Sequence, residues 1–223
     1  MTDDALEYGG LRDRKRPLAD NAYFTIHDPQ VTKMCGLPIP PDWWSRRFEY
    51  AFALDRLGDA VHVADMGVGW MGRPLAAEVA STGRKVWGVD IDERVLALEP
   101  VTNLTYLVGD FASELLDIPA HSLDLIYCIS VLEDLTPDQQ ENAWHEWRRL
   151  LDKGGRVVFT CDVQWEEGQP LGKYPGCDLA ALMTGMENAG FKLKGTVDRV
   201  KDGDVVHHSG FNLCCWHGEA VLA

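Results

Sequence analysis

Three aspartates each close a short apolar run: Val61-His-Val-Ala-Asp65, Val86-Trp-Gly-Val-Asp90 and Leu104-Thr-Tyr-Leu-Val-Gly-Asp110. Runs of this kind read as buried strands, and in a parallel α/β sheet the carboxyl ends of the strands face one ligand crevice. Three carboxylates along that edge would accept hydrogen bonds from a ligand rich in hydroxyl, amino and ammonium groups. Directly after Asp65 comes Met66-Gly-Val-Gly-Trp-Met-Gly72. Its glycines permit positive φ and a close approach of ligand to backbone. Pro74 then suits the first turn of a helix, whose N-terminus favours anionic groups. A glycine turn between strand and helix is shared with dinucleotide enzymes, so by itself it does not choose a ligand.

In order along the chain, these motifs resemble those of the class I S-adenosylmethionine-dependent methyltransferases. Asp65-Met-Gly-Val-Gly-Trp matches the first motif of that family, Val89-Asp-Ile-Asp the second and Gly109-Asp-Phe the third. Leu123-Asp-Leu-Ile-Tyr-Cys-Ile-Ser-Val-Leu-Glu-Asp-Leu135 is similar to the fourth-strand signature, and Leu150 to Phe159 to the passage into the fifth strand. Met71 stands where a third glycine is common, with Gly72 one place later, and Asp134 replaces a frequent histidine. The resemblance implies a Rossmann-like, seven-stranded, mostly parallel sheet with a reversed last strand and helices on both faces. It implies S-adenosylmethionine as cofactor and a small-molecule acceptor methylated on oxygen, nitrogen or carbon. Gly67, Gly69 and the turn at Trp70 would then cradle the methionine part, with Asp65 placed for the ammonium group. Asp90 would accept the ribose hydroxyls and Asp110 the adenine amino group, with the Phe111 N–H donating to the ring. Ile91 and Phe111 would flank the adenine.

An acceptor that must lose a proton needs a base; His207 and His208 are the first candidates, with His27, Tyr23, Glu133 and Asp134 behind them. Phe191 to Val200 alternates as a strand, Asp202-Gly203 is a hairpin signal, and Val205 to Trp216 reads as the returning strand. If the outgoing strand is parallel, the turn and both histidines lie at the ligand edge. Alternation sends the two rings to opposite faces, so only one of them would point inward. A histidine near neutral pKa suits proton removal from a hydroxyl.

The elements that must hold these residues follow from pattern. The chain has 223 residues, 46% apolar and 25% charged, enough for one sizeable core and a modest extension. We divide it into an N-terminal arm and cap helix, 1–58, and a methyltransferase-like domain, 59–223. Pro38 to Pro41 breaks the chain, Asp42 is the expected N-cap of a helix over 43–57, and Gly58 its end. Within Trp44-Ser-Arg-Arg-Phe-Glu-Tyr50 two readings stand open. In one the charges form a solvated face; in the other an arginine reaches the cofactor and aromatics wall the pocket. Thr136-Pro-Asp-Gln139 forms a capping box, and Asp178 caps a helix that ends at Gly190.

A net charge of −14 opposes binding of nucleic acid, which needs a cationic surface. The one dense basic run, Arg12-Asp-Arg-Lys-Arg16, reads as a solvated stretch. No apolar run is long enough to span a membrane, and the acidic start is unlike a signal peptide, so a cytoplasmic protein is expected. The six cysteines lack Cys-x-x-Cys spacing and read as reduced; no metal is expected. Two readings compete with the methyltransferase. An NAD-dependent oxidoreductase would share the glycine turn and Asp90, but not Asp65 or Asp110-Phe111. A non-catalytic S-adenosylmethionine binder would need no acceptor base.

Overall fold

The computed structural model describes residues 20–70, 74–115, 117–164, 173–174, 177–208 and 213–223. The basic run at 12–16, Met71, Gly72 and Trp165 lie outside the described residues. The strands are β1 (Ala22–Tyr23), β2 (Lys33–Met34), β3 (Leu37–Pro38), β4 (His62–Met66), β5 (Lys85–Asp90), β6 (Leu104–Val108), β7 (Leu123–Ile129), β8 (Leu151–Gln164), β9 (Lys173–Tyr174), β10 (Cys177–Asp178), β11 (Phe191–Leu193) and β12 (Leu213–Leu222). The α-helices are α1 (Arg46–Asp55), α2 (Pro74–Ser81), α3 (Pro137–Leu150) and α4 (Leu179–Asn188).

The main sheet runs β6-β5-β4-β7-β8-β12, with β11 on the outer edge of β12. β4 pairs in parallel with β5 and β7, β5 with β6, and β7 with β8, whereas β12 runs antiparallel to β8 and β11. This is the expected seven-stranded sheet with its reversed last strand, to which β1, β9 and β10 add short pairings. Strand order reverses between β4 and β7, which is where ligands bind in sheets of this type.

Alternation along the central strands feeds two apolar layers. Ile126, Val157, Phe159, Cys161 and Cys214 join the layer under Trp144, Trp147 and Met186 of α3 and α4. Leu125, Tyr127, Val158 and Cys215 face the layer holding Phe48 and Phe52 of α1 and Val79 of α2. Residues of the arm (Phe24, Val31, Met34) belong to that second layer, so the segment from 20 to 58 shares its core with the sheet. Helix ends follow the sequence where a cap is local. Thr136 and Gln139 form the capping box, and the Asp178 carboxylate accepts from the backbone of Ala180 and Ala181. Among the described residues, no helix is long and apolar enough to cross a membrane.

Two expectations are corrected. The first helix begins at Arg46 rather than Trp43; its N-cap is Ser45, and the Trp43 N–H donates to Pro40 in a preceding turn. The second concerns the hairpin. β11 ends at Leu193 and β12 starts at Leu213, with Asp202–Asp204 a single 3-10 turn. The cause is competition for one edge: β1 pairs with Trp216 and His217 of β12, leaving only Ala220 to Leu222 for β11. Val205 and His207 make isolated bridges to Thr25 and Cys214 instead of forming a continuous strand.

Candidate active site

The glycine turn is pinned to the next strand. Gly67 and Val68 donate to the Val89 carbonyl at 2.8 and 3.1 Å, and Gly69 donates to Asp90 Oδ2 at 2.8 Å. Gly67 has φ +77°, and a Cβ there would meet Val131 Cγ2 at 2.4 Å. Glycine is therefore required at 67 by conformation and by space. Gly69, at φ +71°, has nothing within 4 Å of such a Cβ, and it lines an open cavity.

Asp90 Oδ1 also accepts the N–H of Asp92 at 3.0 Å. Each carboxylate oxygen has two acceptor positions, so one on each remains for a pair of hydroxyls. Asp110 stands two strands from β4, exposed, with Oδ1 on the Ala112 N–H at 2.9 Å. Ile91 is 71% exposed at the same edge. The Phe111 ring is buried against Trp147, with centroids 5.9 Å apart, and does not stand exposed at the edge. Trp70 is turned outward, and the Arg94 guanidinium lies over its ring at 3.8 Å.

The cavity in front of the turn holds about 370 Å³, within the range of small-molecule sites. Its wall combines Asp65 and the turn with Trp43, Trp44 and Arg46 from the arm, and with Ser130 and Asp162 at the ends of β7 and β8. Asp65 is 5% exposed. Burial, reinforced by Asp90 and opposed by Arg46, raises its pKa to about 7. A buried carboxylate only partly compensated by an arginine fits an ammonium group; with the glycine cradle and the Asp90 acceptors, the donor set fits S-adenosylmethionine.

Behind the cavity lies a polar hub that the sequence reading did not single out. Glu49 on α1 is fully buried. It accepts from Ser130 Oγ and Thr160 Oγ1, both at 2.5 Å, from Ser45 Oγ at 3.0 Å, and from Arg46. Burial works against its charge, yet Arg46 and the hydroxyls of Ser130 and Thr160 outweigh burial and lower its pKa. Of the two open readings of the helix, the solvated face fails for Glu49, and Arg46 does line the cavity. Ser130 takes φ +49°, a conformation non-glycine residues seldom adopt, which aims its hydroxyl at Glu49.

Asp162 is also drawn into this region. Burial and the nearby Glu49 push its pKa up to about 7, against the pull of Arg46. Glu133, buried beside it, is raised well above the carboxylate range by burial and then by Asp162. The histidines are not brought in: neither His207 nor His208 is among the residues lining the cavity. His207 is exposed, and the His208 ring meets Trp44 edge-on at 5.4 Å, so it backs the wall.

Comparison with known proteins agrees with this geometry. Residues 64–159 match the family described as a methyltransferase domain. An uncharacterized methyltransferase of Bacillus thuringiensis is 31% identical over 102 residues, which is 44% of this chain and 46% of that protein. The chain thus matches about half the length of that relative. Among solved structures, the 1,6-didemethyltoxoflavin-N1-methyltransferase of Burkholderia thailandensis, with bound 1,6-didemethyltoxoflavin and S-adenosylhomocysteine, superposes with a TM-score of 0.59 at 16% identity. The alignment covers 92% of this chain and 100% of that one. The glycopeptide N-methyltransferase MtfA gives 0.59 at 16% identity, over 78% of this chain and 95% of its own. Sheet order, glycine turn and strand-end carboxylates agree with the fold of these solved methyltransferases, and residues 64–159 carry the match to a methyltransferase domain.

Proposed function

We propose that this protein transfers the methyl group of S-adenosylmethionine to a small-molecule acceptor at an oxygen, nitrogen or carbon atom, by in-line displacement. One observation carries the reading. The cavity that begins at the glycine turn continues past the end of β7 to Asp162, and Trp43 and Trp44 wall it. This is room for a compact second ligand beside the cofactor. Bound S-adenosylmethionine supplies an electrophilic methyl on a sulfonium centre. In this assignment Asp65 meets its ammonium group, Gly67, Gly69 and the Trp70 turn its methionine chain, and Asp90 its ribose. Asp110, Ile91 and the Phe111 N–H serve the adenine. The residues of the chain have two further tasks, which are to hold the acceptor in line and to keep water out. His208 is assigned to support Trp44, and His207 receives no contact with the acceptor. The net charge of −14 opposes a nucleic acid acceptor.

The test is to incubate the protein with methyl-labelled S-adenosylmethionine and an unfractionated cell extract. Label is expected in compounds that pass a small-pore filter. Label confined to protein or nucleic acid would contradict the small-molecule reading.

A further inference from the structure

Asp162 lines the cavity beyond the residues assigned to the cofactor. It sits near the end of β8, paired across the sheet with Cys215. Its N–H donates to Glu133 Oε1 at 3.2 Å, which fixes the backbone. Its Oδ1 is buried and, among the described residues, has no hydrogen-bond partner. A buried acceptor left unmade is costly, and such groups in a cavity wall call for a ligand donor.

Its place in the sheet says which ligand. The carboxylates assigned to the cofactor stand on β4, β5 and β6, whereas Asp162 stands on β8, on the far side of β7. Two strand spacings separate β4 from β8, roughly 10 Å. Asp162 therefore faces the acceptor part of the cavity. With Asp65 turned to the cofactor, the charged residues left on the cavity wall are Asp42 and Asp162 against Arg46 alone, and Arg46 is bound to Glu49.

We propose that Asp162 accepts the N–H or O–H hydrogen of the acceptor and takes that proton during methyl transfer, and that the cavity admits cationic or neutral acceptors and rejects anions. This rests on the methyltransferase reading above. In the step, an ammonium acceptor first passes its proton to Asp162 and so exposes a lone pair, whereas a neutral acceptor already carries one. The lone pair forms the new bond to the methyl carbon and the carbon–sulfur pair returns to sulfur, leaving a neutral thioether. The acceptor's proton ends on the Asp162 carboxylate. Its proton affinity, with a pKa of about 7, suits a group that takes and releases a proton near neutrality.

The test uses three indoles of matched size: tryptamine as cation, tryptophol as neutral and indole-3-acetate as anion. Each is titrated calorimetrically into the protein with and without saturating S-adenosylhomocysteine. Tryptamine is expected to bind about tenfold or more tightly than indole-3-acetate, as a charge-assisted hydrogen bond implies. Asp162→Asn should abolish that preference and leave S-adenosylhomocysteine affinity unchanged, while Asp162→Glu should retain the preference. Equal or tighter binding of indole-3-acetate, survival of the preference in Asp162→Asn, or failure of all three indoles to bind would overturn the proposal. Failure of S-adenosylhomocysteine to bind would count against the cofactor site, and the nucleoside-free titrations would still decide the role of Asp162.

Discussion

Asp90→Ala is expected to weaken S-adenosylhomocysteine binding by roughly a hundredfold with the fold intact. Two losses combine. The side chain now holds the Gly69 N–H at 2.8 Å, so its removal frees the glycine turn. It also supplies the two acceptor positions assigned to the ribose hydroxyls, and hydrogen bonds to a charged group contribute about 1.5–3 kcal/mol each. Full additivity would exceed a hundredfold, but relaxation of the turn offsets part of the loss. Calorimetry reads the dissociation constant, and a thermal melt without ligand checks the fold. An unchanged dissociation constant would mean that the ribose lies elsewhere.

Glu49→Ala is expected to lower the unfolding free energy by about 3–5 kcal/mol, the usual cost of removing one partner of a buried charged pair. Glu49 ties α1 to three strands. Its carboxylate meets Ser130 after β7, Thr160 on β8 and the Cys215 thiol on β12, the last at 3.4 Å. Alanine would leave the hydroxyls of Ser45, Ser130 and Thr160 and the Arg46 guanidinium without this acceptor, and would open a hole beneath the cavity. Relief of repulsion on Asp162 works in the opposite direction, but one electrostatic contact is weaker than the set of bonds lost. Urea denaturation at neutral pH measures the change. A loss below about 1 kcal/mol would show that the hub is not what joins the arm to the sheet.

What the sequence made legible was local. The acids that end apolar runs, the glycine turn, and the capping residues Thr136 and Asp178 all carry their signal within a few residues, and each takes its expected place. Glu49 was hidden because a charged residue on a helix reads as solvated. Its true partners, Ser130 and Thr160, stand 81 and 111 positions away. Asp162 was hidden for a related reason, since its chemistry comes from Glu49 and from burial, not from any neighbour in the chain. The hairpin expected at Asp202 failed because the edge of β12 is shared with β1, a pairing across nearly the whole chain. Phe111 shows how far a motif reaches: it places the backbone at the sheet edge, while packing against Trp147 decides where the ring goes.

The central claim, that the glycine turn and the strand-end carboxylates form an S-adenosylmethionine site, is tested most directly by calorimetric titration of the unmodified protein. S-adenosylmethionine and S-adenosylhomocysteine should each bind saturably, and NAD should show no comparable affinity. Tighter binding of NAD, or no heat of binding from either S-adenosyl compound, would contradict the account.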